Sequence, residues 1–130
     1  MLILLHMTLM IAAALCLIAG VGLAMIGRKK KNWIKLHRAF NTTGTACALI
    51  GAIMAFASVA ASGGDHLAGL HQRFGLTAVL LTGLTLLMGY YSFQARNKIM
   101  VRNVHRWSGR IALIVLLAAL YLGLSMIGII

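Results

Sequence analysis

Histidine is the residue type in this chain with the widest chemical scope, and the sequence contains five of them. Four histidines, His6, His37, His71 and His105, each lie near the start of a different apolar stretch. His66 lies in a short polar segment, where we expect solvent to surround it. Neutral imidazole is a common metal ligand and also binds haem iron. A single histidine here would be interpreted as an interfacial residue, but four with the same placement predict a cofactor site.

The apolar stretches predict helices that cross a membrane. The chain is 62% hydrophobic and 10% charged, whereas a soluble domain carries roughly 25% charged residues. Each stretch exceeds the roughly 20 residues that a helix needs to cross the hydrocarbon core. We therefore predict an all-α membrane protein, an antiparallel up-and-down four-helix transmembrane bundle. It forms a single domain over residues 1–130, with helices at about 2–26, 33–60, 67–93 and 101–127.

The connections between these helices predict both topology and orientation. They are short, at residues 27–32, 61–66 and 94–100, so neighbouring helices must be antiparallel. Of the twelve Lys and Arg residues, all but Arg73 lie in or near the first and third connections. Because basic loops stay in the cytoplasm, these two connections are predicted to be cytoplasmic and both termini to lie outside. The net charge of +11 then indicates anionic membrane lipid as a partner, rather than nucleic acid.

Alternating helix direction sorts the four histidines into two levels. His6 and His71 should lie near the outer face, and His37 and His105 near the cytoplasmic face. Neighbouring helices lie about 8–10 Å apart, so diagonal helices lie roughly 12–14 Å apart. A haem between two imidazoles needs about that backbone separation. The topology therefore predicts that each diagonal pair can hold one iron from both sides, as four-helix bundles hold other cofactors.

Small residues follow the histidines along the same helix faces. Gly75 and Gly109 each come four residues after a histidine, and Gly44 comes seven residues after one. Met10 occupies the fourth position after the first histidine. A glycine in such a place lets a flat porphyrin lie against the backbone, although glycine is also common where membrane helices pack closely. These four residues are the predicted haem-packing positions.

Four short motifs, one per helix, together resemble the four-helix core of the cytochrome b561 superfamily. They read HMTLM from residue 6, WIKLHR from residue 33, HQRFG from residue 71 and HRWSGR from residue 105. The resemblance implies two non-covalent b-type haems, each bound by two histidines. It implies that the first and third helices share one haem, and the second and fourth helices the other. Members of this superfamily carry single electrons across a membrane, often from cytoplasmic ascorbate to an outer monodehydroascorbate or ferric iron.

The resemblance also gives roles to basic residues near the histidines. It implies that cytoplasmic cations hold an anionic reductant or the haem propionates, and arginine can bind a carboxylate with two parallel hydrogen bonds. Arg73, the single outer cation, is the candidate propionate partner of the outer haem. The alternative for all of these residues is that they only set topology. The cytoplasmic candidates are Lys35, Arg38, Arg106 and Arg110.

The leading function is transmembrane electron transfer from a cytoplasmic donor, such as an ascorbate-like reductant or a quinol, to an outer acceptor. Donor and acceptor can be small molecules or proteins, and the chain is an oxidoreductase only if substrates bind at its two faces. The alternatives are a haem-binding anchor subunit of a larger respiratory or reductase complex and a purely structural subunit. A cation exporter is disfavoured because Asp65, the sole acidic residue, lies in a loop. A homodimer and a larger complex both stay open.

Overall fold

The computed structural model describes residues 1–130 and consists of four long helices. They are α1 (Leu2–Ile26), α2 (Trp33–Ala61), α3 (Leu70–Tyr91) and α4 (Lys98–Met126). Each helix is long and apolar enough to cross a membrane. Large apolar side chains face outward at the middle of every helix, which suits a lipid environment. The prediction of an all-α four-helix transmembrane bundle is confirmed, and the chain is an integral, multi-pass membrane protein.

The bundle is made of two helical hairpins that face each other. Helix α1 packs closely along α2, and α3 packs closely along α4, whereas contacts between the two hairpins are sparser. The helix pairs α1–α3 and α2–α4 make no backbone contact, so they form the diagonals of the bundle. We call α1–α2 the first hairpin and α3–α4 the second. The end with the two basic connections is called the basic end, and the opposite end is called the far end.

Two helix starts differ from the boundaries predicted from the sequence. Helix α3 begins at Leu70 because Leu67 has a positive φ of 62° and Gly69 is extended, so the backbone before Leu70 cannot be helical. Helix α4 begins at Lys98, where the side chain of Asn97 accepts a hydrogen bond of 3.1 Å from Met100 N. As a result, the histidine of α3 lies in its first turn and the histidine of α4 lies two turns in.

The core at the middle of the bundle combines a few large apolar side chains with alanine and glycine. One buried cluster joins Met10, Leu17, Ala78 and Leu116 from three helices. A Cβ atom added to Gly44 would lie 2.8 Å from Leu17 Cγ, so this glycine allows α1 and α2 to approach closely. Small residues at helix contacts are typical of membrane proteins, where close packing drives helix association. The packed middle layer separates the two histidine levels.

Replacing Leu116 with alanine is expected to destabilise the bundle by about 2–5 kcal/mol, because it leaves a cavity in this layer. Leu116 is fully buried, whereas Ile114 on the same helix points outward and provides the matched control. We expect Ile114→Ala to change the stability little. The free energy of unfolding in mixed detergent micelles, followed by circular dichroism, measures both. Equal effects of the two substitutions would contradict the assigned packing.

Candidate functional site

The structure brings the four membrane histidines together as two pairs across the diagonals. The ring centres of His6 and His71 lie 6.0 Å apart, and the ring planes are inclined at 76°. The ring centres of His37 and His105 lie 6.1 Å apart, with planes at 90°. Two imidazoles on opposite sides of one metal ion have ring centres about 6 Å apart, since each metal–nitrogen bond is about 2 Å long. The spacing of both pairs therefore fits one metal ion between the rings.

Each of the four rings is also tied to a backbone carbonyl on the other helix of its own hairpin. A carbonyl oxygen can only accept a hydrogen bond, so the Nδ1 atom in each of these contacts carries the hydrogen. The Nε2 atom is then unprotonated and is the nitrogen free to bind a metal. The Nδ1–oxygen contacts join His6 to Gly51 (2.8 Å), His37 to Gly20 (2.7 Å), His71 to Ala119 (2.9 Å) and His105 to Thr85 (3.0 Å).

The four accepting carbonyls share one position in the sequence, 14 residues after the histidine of their own helix. Fourteen residues span about 21 Å of helix, at 1.5 Å per residue. The two histidine pairs therefore lie at two levels about 21 Å apart, one toward each end of the bundle. Sequence reasoning missed this regularity, although the spacing was visible. The accepting residues are Gly20, Gly51, Thr85 and Ala119.

A cavity of about 360 Å³ surrounds the pair at the basic end, and both His37 and His105 line it. Its volume lies within the range of about 300–1,000 Å³ that is usual for ligand sites. The cavity wall also carries an unusual number of guanidinium groups, which favour bound carboxylates. These are the side chains of Arg28, Arg38, Arg102, Arg106 and Arg110.

A second, more open cavity of about 610 Å³ lies beside the first at the basic end. It is lined by Lys31 and Lys35, and it shares Arg38 and Tyr90 with the first cavity. The guanidinium carbon of Arg38 lies 4.8 Å from the centre of the Tyr90 ring, which is a cation–π distance. The Tyr90 hydroxyl lies 3.1 Å from Thr42 Oγ1. The four basic residues singled out at this end thus line one cavity or both.

The far end is organised differently. Arg73 is exposed, and its Nε donates a hydrogen bond of 2.9 Å to the Leu67 carbonyl oxygen. His66 is exposed as well, and its ring stacks on Phe56 with centres 5.1 Å apart. The hydrogen bond from Arg73 holds the loop where Leu67 has its positive φ. The structure therefore places Arg73 at the surface of the far end, on the same turn of α3 as His71.

The predicted haem-packing residues fall into two groups. A Cβ atom added to Gly75 would meet nothing within 4 Å, and one added to Gly109 would meet only Thr85 Cγ2, at 3.4 Å. These two glycines therefore leave space beside a helix. Gly44 lies in the contact of α1 with α2 instead, and Met10 is buried, with its Sδ 3.2 Å from the Cβ position of Gly51.

Two further observations bear on what the histidine pairs can hold. The side-chain oxygens Gln72 Oε1 and Thr85 Oγ1 are buried without a hydrogen-bond partner, one near each histidine level. Buried polar atoms normally have a partner, so each can bond to a ligand. No group of three or more His, Cys, Asp or Glu side chains comes together, whereas a structural zinc site needs four protein ligands. At the basic end, the cavity leaves room beside the histidine pair, and two histidines with such room suit haem, whose porphyrin supplies the remaining ligands of the iron.

Comparison with known proteins supports the same cofactor class. The family model described as eukaryotic cytochrome b561 matches residues 1–129, a span that contains all four helices and both histidine pairs. No curated protein and no solved structure matches the chain.

Proposed function

Because the chain belongs to the cytochrome b561 family, we propose that it transfers electrons across the membrane through two b-type haems. One haem is held by His6 and His71 and the other by His37 and His105. The observation that carries this proposal is the geometry of the pairs, with ring centres 6.0 Å and 6.1 Å apart, a backbone carbonyl at each Nδ1 and no hydrogen bond to Nε2 on any of the four rings. A bound haem supplies one-electron chemistry, because its iron is stable in both the ferric and the ferrous state.

The protein contributes to this chemistry by fixing the orientation of its histidines and by keeping water out of the middle of the bundle. The Nδ1–carbonyl bonds fix each ring and make its Nε2 a stronger donor to a metal. If both histidines of a pair bound the iron, no coordination position would be left for oxygen, so oxygen activation is not expected. The packed apolar layer between the levels keeps water out of the middle of the bundle, where Leu116 and Ala78 are fully buried.

The arginines of the first cavity are proposed to hold the propionates of the haem at the basic end. Arg38, Arg106 and Arg110 line the cavity, and a guanidinium group can bind a carboxylate with two parallel hydrogen bonds. At the far end Arg73 takes this role, because its Nε is held by Leu67 and its terminal nitrogens remain available. Gly75 and Gly109 supply the space in which a porphyrin can lie against the helices.

The open second cavity is proposed as the site of an anionic electron donor, of which ascorbate is the natural probe. Its wall carries Lys31, Lys35 and Arg38, and Arg38 and Tyr90 also face the haem cavity. A donor bound there would be close to the pair at the basic end. Since basic connections stay in the cytoplasm, we propose that the basic end faces the cytoplasm and that the acceptor binds outside.

Replacing Lys35 with glutamine is expected to raise the KM for ascorbate about twofold to fivefold, because one exposed charge contact is worth about 0.5–1 kcal/mol. The visible spectrum and kcat should stay unchanged, since Lys35 lines the second cavity and not the first. Lys98→Gln is the matched control, because Lys98 begins α4 at the same end but lines neither cavity. Steady-state reduction of vesicle-trapped ferricyanide by external ascorbate at low salt measures both. An equal rise in KM for the two variants would indicate a general surface-charge effect and contradict the assigned site.

The proposed function is tested with purified protein in two stages. Absorption spectra before and after dithionite, with haem quantified per chain, should show two six-coordinate low-spin b-type haems. The protein is then placed in vesicles with trapped ferricyanide, and external ascorbate should reduce the ferricyanide. A colourless protein that takes up no added haem would overturn the proposal. Haem-loaded protein that fails to reduce the trapped ferricyanide would favour the alternative, an anchor subunit of a larger complex.

A further inference from the structure

At each histidine level, one ring lies directly against a glycine. A Cβ atom added to Gly123 would lie 2.7 Å from Cε1 of His71 and 3.1 Å from its Nδ1. A Cβ atom added to Gly89 would lie 2.9 Å from Cε1 of His105. Carbon atoms in contact are normally about 3.5–4.0 Å apart, so the two rings occupy space that an alanine methyl group would need. Gly89 and Gly123 therefore have to lack a side chain for the two rings to lie where they do.

The glycine contact and the Nδ1 contact of each ring come from a single helical turn. Gly123 follows Ala119, whose carbonyl accepts from His71, by four residues, and Gly89 follows Thr85 in the same way. Residues four apart lie above one another on one helix face. One turn of the neighbouring helix thus makes both contacts. Its carbonyl oxygen accepts the hydrogen bond from Nδ1, and its glycine backbone lies against the ring.

The first hairpin differs at the corresponding positions. Ala55 follows Gly51 by four residues, and Ala24 follows Gly20 in the same way. At both levels, therefore, the ring of the second hairpin lies against a glycine. For the ring of the first hairpin, the residue at the equivalent position is alanine. Each pair combines one ring of each kind.

A ring held in this way has little freedom to avoid an added methyl group. Its Nδ1 is bound to a carbonyl, and its Nε2 is needed for the iron, so translation of His71 or His105 would break one of the two bonds. Rotation of the ring plane is the movement that remains. The planes within the pairs are now inclined at 76° and 90°. The angle between two axial imidazole planes sets the splitting of the iron d orbitals, and with it the low-field electron paramagnetic resonance (EPR) line of the ferric haem.

We infer that Gly89 and Gly123 are positioning residues that fix the planes of His105 and His71 and so keep the two imidazoles of each pair close to perpendicular. This inference rests on the proposed histidine ligation of haem. Each glycine acts on one level: Gly123 on the far-end haem and Gly89 on the basic-end haem. A methyl group at either position turns one ring and alters one haem while the other stays unchanged.

The test is EPR spectroscopy of the ferric holoprotein, supported by a redox titration. Gly123→Ala is expected to shift the low-field line and the potential of the far-end haem, and Gly89→Ala those of the basic-end haem. Both variants should keep two six-coordinate haems in the visible spectrum. Gly83→Ala is the matched control, because Gly83 is on α3 and a Cβ atom there meets nothing within 4 Å. The lines are assigned to levels with the variants His71→Ala and His105→Ala.

The outcomes separate this inference from the proposed function. Two bound haems with both lines unshifted in Gly89→Ala and Gly123→Ala would overturn the inference and leave the proposed function intact. Equal shifts of both lines in either variant would also overturn it, because they would indicate a general change in packing. If Gly123→Ala does not yield folded protein, Gly89→Ala decides the inference at the basic-end level, where a Cβ atom would lie 2.9 Å from Cε1 of His105. An unshifted basic-end line in that variant would overturn the inference.

Discussion

Replacing His71 with alanine is expected to lower the haem content from two b-type haems per chain to one, and replacing His6 should remove the same haem. The two rings form one pair with centres 6.0 Å apart, and under the proposed ligation each would supply one of the two histidine bonds to the iron. Loss of either bond leaves the haem held from one side in a site built for two ligands. By the same reasoning, His37→Ala and His105→Ala should each remove the other haem, because their ring centres are 6.1 Å apart.

Haem per chain, measured as the pyridine complex, gives the stoichiometry, and the EPR spectrum identifies which haem remains. His66→Ala is the control, because that ring is exposed and stacks on Phe56 away from either pair. It should keep both haems. If His6→Ala and His37→Ala removed the same haem, the diagonal pairing would be wrong, and the haem would have to lie within the first hairpin.

Much of the fold and the pairing of the histidines could be predicted, because the membrane leaves few choices. A long apolar segment must be helical in lipid, since only a helix satisfies its own backbone groups. Short connections then make neighbouring helices antiparallel, and one histidine near each helix start gives two levels. The helix ends were less predictable, because they depend on local features such as the positive φ of Leu67 and the Asn97 cap.

The contacts of the rings could not be predicted, because they depend on how far each helix is displaced along its neighbour. Hydropathy places a helix in the membrane but does not fix that displacement to within one residue. The structure gives it, and the glycine or alanine found 18 residues after each of the four paired histidines then has a physical meaning. These positions are Ala24, Ala55, Gly89 and Gly123. Gly44 shows the converse, since a glycine predicted for porphyrin packing lies in a helix contact.

The basic residues are concentrated at one end of the bundle, which the helical fold alone does not require. Five arginines line the cavity at the basic end, more than two propionates need. Arg38 lies between this cavity and the second one, against the ring of Tyr90. A cation shared by both cavities can attract an anionic donor and also favour an added electron nearby, since both carry negative charge. The distribution of basic residues is therefore suited to electron entry at this end, as proposed above.

Removing either histidine pair is expected to abolish electron transfer across a membrane, even though the other pair still binds its haem. The two levels lie about 21 Å apart along the helices, and the hydrocarbon core is about 30 Å thick. Electron tunnelling falls exponentially with distance, so one remaining level leaves a gap that is too wide. We expect His71→Ala and His105→Ala to reduce trapped ferricyanide in vesicles no faster than vesicles without protein.

Two controls test whether the loss of electron transfer is caused by the missing histidine pair and not by a general loss of the fold. Dithionite should still reduce the remaining haem in each variant in detergent, which shows that the fold and one site persist. His66→Ala vesicles should transfer electrons at the rate of the unmodified protein. Transfer at that rate by His71→Ala or His105→Ala would mean that electrons do not need both levels. Such a result would contradict the two-level path, because electrons would then cross the membrane with only one histidine pair able to hold a haem.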